Sequence, residues 1–330
     1  MKSILKKVSG VAVAAVLALG MIGCSNGSDD PVMPPVSGKQ TVATPAFSVA
    51  SGAVNSGTSV TISCATDGAK IYYTTDSSDP TAESTEYADA IIITKAVTLK
   101  AIAVKDGMNN SAVASASYLI IPTKATCVPG DFVLKDGTML PKDITLTDTQ
   151  KSNVAAVIVR AAADGKPALG VGIVHNKMAW CTKSAAGYNT NITALQGHTD
   201  GSDGWDLLVK ACEDLKNATA ETIETVAQNY PAWNYCRKYG TTNNLTGDLA
   251  TGWYLPTNAE LNTIYQNKDV VYASLSKAGG STFGTSWYWS CLQYPSGSIY
   301  AQELSFYDGS LSYYDKDYDG SYVCSVRAFN

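Results

Sequence analysis

The chain has 330 residues, 45% apolar and only 16% charged, with a formal net charge of −5. That composition excludes a disordered polyelectrolyte and a coiled coil, and the length suits two average domains plus tails. The negative balance argues against a nucleic-acid partner, the more so because Lys2, Lys6 and Lys7 crowd the first seven residues. There are 19 Tyr against 5 Phe, and only 2 His. Tyr joins a large apolar face to a wet tip, so the excess points to an exposed binding surface.

In chain order, the three lysines lead into an apolar, small-residue run from Val11 to Ile22. The run falls short of the ~20 residues of a bilayer span and has the length of a signal-peptide core. It ends in Met21-Ile22-Gly23-Cys24, which resembles a bacterial lipoprotein cleavage box, although Leu is more usual where Met21 stands. The resemblance implies loss of residues 1–23 and a diacylglyceryl group on Cys24. With Ser25 rather than Asp following, it also implies a surface-exposed place on the outer membrane. Residues 24–44, rich in Ser, Gly, Asp and Pro, read as a flexible tether. Seven further cysteines remain, an odd number with no CxxC. Most read as small buried hydrophobes, and a Cys236–Cys324 bridge is the pairing that their flanking core elements favour.

Residues 45–120 read as a small β-sandwich. Short β-branched runs at Val60–Ser63, Lys70–Thr74, Ile91–Thr94 and Val97–Val104 are separated by turn clusters such as Asp76-Ser77-Ser78-Asp79-Pro80. Ile71-Tyr72-Tyr73-Thr74-Thr75-Asp76, Asp79-Pro80-Thr81, Tyr87 and Leu99-Lys100-Ala101 together resemble the Ig-like domain at the C-terminus of chitobiases and β-hexosaminidases. That family usually carries Gly where Ser77 stands. The resemblance implies a non-catalytic spacer, with Tyr72 and Tyr73 packing rather than touching sugar.

Residues 121–128 read as a linker and 129–330 as one larger domain. Asn153–Arg160 and Ala168–Val174 have the composition of strands. Trp205, Leu208, Val209, Cys212 and Leu215 recur at helical spacing, and Ala232–Tyr239 follows Pro231 at a first-turn position. In Gly252-Trp253-Tyr254-Leu255-Pro256-Thr257-Asn258-Ala259-Glu260-Leu261, Thr257 and Glu260 form a capping box, placing Leu261, Ile264 and Tyr265 on one helix face. Trp287–Ser290, Leu304–Phe306 and Tyr322–Phe329 read as strands, with Asp308-Gly309 as a hairpin signal. The Gly252–Leu261 run, Tyr288-Trp289-Ser290 and Val326-Arg327-Ala328-Phe329 resemble the C-type-lectin-like fold of formylglycine-generating enzymes. More narrowly, they resemble variable lipoproteins diversified by retroelements. The fold class expected is therefore multidomain, an all-β Ig-like sandwich followed by an α+β lectin-like domain.

Residues 286–330 hold 8 Tyr, 9 Ser and 4 Asp. These are residue types a selected binding surface uses, and adenine-directed mutagenesis of Asn codons yields them too. They are threaded between apolar residues such as Leu304, Phe306, Val326 and Phe329. Tyr294, Tyr300, Tyr307, Tyr313, Tyr314, Tyr318 and Tyr322 are the expected ligand contacts, with Asp315, Asp317 and Asp319 as acceptors. Trp253, Trp287 and Trp289 are expected in the core. Asp315–Gly320 imitates the start of a calcium loop, but Val326 stands where the bidentate Glu belongs. Asp200–Gly204 reads as a turn into a helix. His175 and His198 lack metal-ligand spacing, and no nucleophile elbow or phosphate loop occurs. No cofactor and no catalytic residue is expected. The expected function is a surface-tethered protein that binds an extracellular protein or glycan. The alternatives are a formylglycine-generating-type oxidase working through cysteines such as Cys291 and Cys324, and a structural, glycan-associated envelope lipoprotein.

Overall fold

A computed structural model describes residues 38–215, 222–296 and 299–330. The leader, Cys24 and most of the tether lie outside the described residues. The fold is mostly β, with a handful of short helices.

The first module is a sandwich. Its larger sheet runs in the order Gly52–Val54, Ala114–Ile120, Val97–Val104, Lys70–Thr74, Thr85–Glu86. The pairs Thr58–Val60 with Ile91–Ile93, and Ala46–Phe47 with Ile62–Ser63, make up the rest. Val60, Ile93, Leu99, Ala116 and Tyr118 form its core, and the Tyr118 hydroxyl donates to the Val49 carbonyl at 2.7 Å. Along Val97–Val104 burial alternates around Leu99 and becomes continuous over Ala101, Ile102 and Ala103, as a strand covered on both faces requires. Tyr72 and Tyr73 are half-buried, and Tyr73 meets Tyr87 edge-to-face at 6.3 Å.

The second module has two sheets. The first is antiparallel, in the order Met139–Leu140, Phe132–Leu134, Val154–Arg160, Ala168–Gly172, Val326–Phe329, Trp253–Tyr254. Val154–Arg160 is buried on both faces. Val157 and Val159 meet Leu261, Ile264, Val271 and Leu275 of the helices Asn258–Gln266 and Lys268–Lys277. Ala156 and Ile158 instead join Tyr239, Leu249, Trp253 and Phe329. Gly172 is glycine because a Cβ there would lie 2.3 Å from the Tyr239 ring, whose hydroxyl accepts from Ile173 N and donates to Ala155 O. The second sheet has the order Asn176–Lys177, Tyr322–Val323, Trp287–Gln293, Tyr300–Ser305, Leu311–Asp315. Tyr288 and Leu304 face the first core, while Trp289, Ala301 and Val323 face another around Trp180, Leu208, Tyr230 and Trp233.

The helix signals from capping, from a first-turn proline and from periodicity each correspond to a helix. Thr257 and Glu260 form both capping-box bonds. Pro231 opens the helix Pro231–Arg237, and Gly204–Leu215 buries Leu208 and Cys212 while leaving Leu215 exposed. The bridge expected between Cys236 and Cys324 does not form. Both are free buried thiols, and Cys236 Sγ points at the Cys324 carbonyl oxygen, 3.4 Å away, rather than at its sulfur.

Candidate ligand-binding cleft

The strands Tyr300–Ser305 and Leu311–Asp315 pair as a hairpin whose turn is set by Asp308 and Gly309. Asp308 Oδ1 accepts from the Ser310 amide at 3.1 Å and its hydroxyl at 2.7 Å. Gly309 has φ +78°, and a Cβ there would strike the Tyr265 ring.

Successive side chains of a strand point to opposite faces. Tyr313 and Tyr314 therefore part company, a correction to the single Tyr-rich face expected from composition. Tyr313 stacks on Tyr294, with ring centres 4.0 Å apart and planes 26° apart, and lies 5.3 Å from Tyr300. Tyr314 turns to the other face and meets Tyr318 at 4.4 Å. Tyr307 stands alone at the turn, 72% exposed and outside both groups.

The Tyr314 face forms a cleft of about 440 Å³, lined by Trp287, Tyr314, Tyr318 and Tyr322, with Lys177, Ser286, Glu303, Ser312, Gly320 and Ser321. Trp287, expected in the core, is 37% exposed here. It shares a strand face with buried Trp289 but begins its strand, beyond the cover that closes over Trp289. Tyr322 stacks on Tyr288 at 5.3 Å, and the Lys177 ammonium lies 5.0 Å from its ring centre. Glu303 is only 4% exposed and sits opposite Trp289 and Ser312 in the ladders. The Ser321 hydroxyl donates to Glu303 Oε2 at 2.6 Å. Burial pushes the Glu303 pKa above the usual carboxylate range, and the Ser321 bond holds part of that shift back.

The three aspartates divide differently from expectation. Asp315 and Asp319 are exposed. Asp317 is committed to structure: it accepts from the Tyr188 hydroxyl at 3.0 Å and pairs with Lys183 at 3.2 Å. Between Asp315 and Asp317 the chain buries Lys316 completely. Its ammonium donates to the carbonyls of Gly187 at 2.6 Å and of Tyr188 and Thr190 at 3.3 Å, and lies 5.5 Å from the Trp180 ring centre. Lys316 thus ties the segment that carries Tyr314 and Tyr318 to the body of the domain. Nothing in an Asp-rich, turn-like run marks one lysine for burial. Glu303 was missed for a related reason, because an isolated acid in a strand reads as solvent-facing.

Among the described residues no group of three His, Cys, Asp or Glu could hold a metal ion. Cys291 and Cys324 are buried, and desolvation holds both thiols well above their ordinary pKa of 9, which disfavours thiolate chemistry at either. At Asp200–Gly204, Asp200 Oδ1 accepts from Ser202 N at 2.9 Å in a turn that leads into the helix Gly204–Leu215.

Residues 49–115 match the family model of the chitobiase/beta-hexosaminidase C-terminal domain. The first module is therefore an Ig-like domain of that type. The match ends before the cleft and covers none of the second module. A search of curated proteins finds no match for the chain. Among solved structures, a fimbrial protein from Bacteroides ovatus is similar over 88% of this chain and 71% of its own, at 12% identity and a TM-score of 0.39. A likeness of that size assigns neither fold nor role to the second module.

Proposed function

We propose that this chain is a lipid-tethered, surface-displayed binding protein that captures an extracellular protein or glycan through its second domain. The scaffold of that domain is read as C-type-lectin-like, on the strand and capped helix of Gly252–Leu261 and the core strands around Tyr288-Trp289-Ser290 and Val326–Phe329. The Ig-like module is a spacer above the membrane, and the Tyr- and Ser-rich positions around the hairpin are a diversified ligand surface. The observation that carries the reading is the cleft. Trp287, Tyr314 and Tyr318 stay 37%, 47% and 43% exposed around a concave site, beside the buried strand residues Tyr288, Trp289 and Glu303. Large aromatic rings left wet in a concavity are what a recognition site uses.

The test is capture on arrays of extracellular proteins and glycans with three single variants. Tyr314→Ala and Tyr318→Ala should abolish capture while the melting temperature stays within about 2 °C, since half-exposed rings contribute little to the core. Tyr313→Ala, on the opposite face, should leave capture intact. A steep fall in melting temperature in the first two would assign the rings to packing. Equal loss in all three would move the site away from the cleft.

A further inference from the structure

Taking this cleft as the ligand site, we infer that it receives an alkylammonium group, the protonated amine of a lysine side chain or of a free polyamine, with Glu303 as its counter-ion.

Three observations converge on a cation. The first is the wall: Trp287, Tyr314, Tyr318 and Tyr322 line one concavity. Aromatic faces carry negative quadrupole charge, and rings gathered around a site attract an ammonium. The second is Glu303. Its carboxyl is 4% exposed, its hydrogen-bond donor is the Ser321 hydroxyl, and among the described residues no ion pair includes it. A carboxylate withdrawn from water without a cation is costly, and a bound ammonium removes that cost. The third is Lys177. Its own alkylammonium rests 5.0 Å from the Tyr322 ring centre, so the rim already holds, within the chain, the contact proposed for a ligand. The whole-chain charge of −5 favours the approach of a cation in the same direction. A neutral saccharide would also stack on the rings, but it would not need the buried carboxylate to be ionised, nor would it be opposed by Lys177.

That difference gives an experiment with signs. Titrate the full chain at pH 8 by calorimetry with n-butylammonium and with 1-pentanol, its uncharged analogue of similar size. The ammonium should bind at least about tenfold more tightly than the alcohol. Glu303→Gln should weaken the ammonium about tenfold, and Tyr314→Leu, at a half-exposed ring that does not endanger folding, should weaken it as well. Lys177→Gln should tighten it about threefold, because a competing positive charge leaves the rim. Pentanol binding as well as butylammonium, an unchanged affinity in Glu303→Gln, or weaker binding in Lys177→Gln would each overturn the inference. A tripeptide with a central lysine, run beside spermidine, distinguishes the two sources: the tighter of the two names the class of partner. Methyl β-glucoside separates this inference from the reading beneath it. If the glucoside binds, depends on Tyr314 and ignores Glu303→Gln, the cleft remains a ligand site and the cation is wrong. If neither ammonium nor glucoside binds but Tyr314→Ala still abolishes capture on the arrays, the cation is wrong and the cleft remains a ligand site; if that variant also captures normally, both fall.

Discussion

Ser77 holds φ at +70° in the turn between Asp76 and Pro80. There Asp76 Oδ1 accepts from both the amide and the hydroxyl of Ser78. A side chain in left-handed backbone costs roughly 1–2 kcal/mol, and only glycine escapes that cost. The position is also where related Ig-like domains usually carry Gly, so the usual residue and the observed angle have one cause. Ser77→Gly should stabilise the protein by roughly 0.5 kcal/mol, once the extra freedom of glycine in the unfolded chain is discounted. Denaturant unfolding of the two forms measures this, and a loss of stability would show that the Ser77 side chain makes a contact outweighing the strain. Conspicuous residue types such as the Tyr excess could be read from sequence. Buried charge could not. Lys316 and Glu303 are single charged residues in polar surroundings, and only the three-dimensional positions of the Gly187, Tyr188 and Thr190 carbonyls and of the Ser321 hydroxyl explain them.

Among the elements, periodicity and capping chemistry carried the most. The capped helix Asn258–Gln266 and the hairpin turn followed from local rules, because their bonds join residues a few positions apart. The alternation that separates Tyr313 from Tyr314 follows from strand geometry too, but strand limits and register were needed before it could be applied. The junction between the two sheets was not legible, since it depends on residues far apart in sequence. His175 makes it: one ring nitrogen lies 3.1 Å from the Gly172 carbonyl and the other 3.0 Å from the Tyr288 hydroxyl. The carbonyl can only accept, so Nε2 carries the proton and Nδ1 accepts from Tyr288. The ring also lies 4.5 Å from that of Phe283. Burial lowers its pKa to about 4 from the usual 6.5. The unfolded chain then binds a proton that the fold refuses, so stability contributed by neutral His175 is complete above pH 6.5 and is lost as pH falls towards 4. The loss should approach roughly 3 kcal/mol. Glu260 and Glu303, whose pKa values burial raises, act in the opposite sense over part of that range. The informative quantity is therefore the difference between wild type and His175→Gln, which should be less acid-sensitive. Parallel pH profiles for the two would place the acid response elsewhere.

For the molecule as a whole, the proposed tether and the proposed cleft stand at opposite ends of the sequence, with the Ig-like module between them. Cys24→Ser should move the protein from the membrane to the soluble fraction of a producing bacterium without altering binding in the cleft. Fractionation reads the first outcome and calorimetry the second, and membrane retention in the variant would refute the lipid anchor. The proposed diversification belongs at this scale as well. A near-copy of the codons for residues 286–330 beside a reverse transcriptase gene, differing mainly at adenines, is its genomic signature. The strand Val326–Phe329 bears on that proposal. It is wedged between Ala168–Gly172 and Trp253–Tyr254, with partners on both sides, so without those four residues Ala168–Gly172 has a bare edge and Trp253–Tyr254 has no partner. A message interrupted by a stop codon anywhere in the Tyr-rich stretch would yield a chain that cannot close this sheet. Wherever that stretch is varied, the fold acts as a proofreader: amino-acid exchanges in the cleft can be displayed, whereas truncations expose an unpaired core and are left to the cell's proteases.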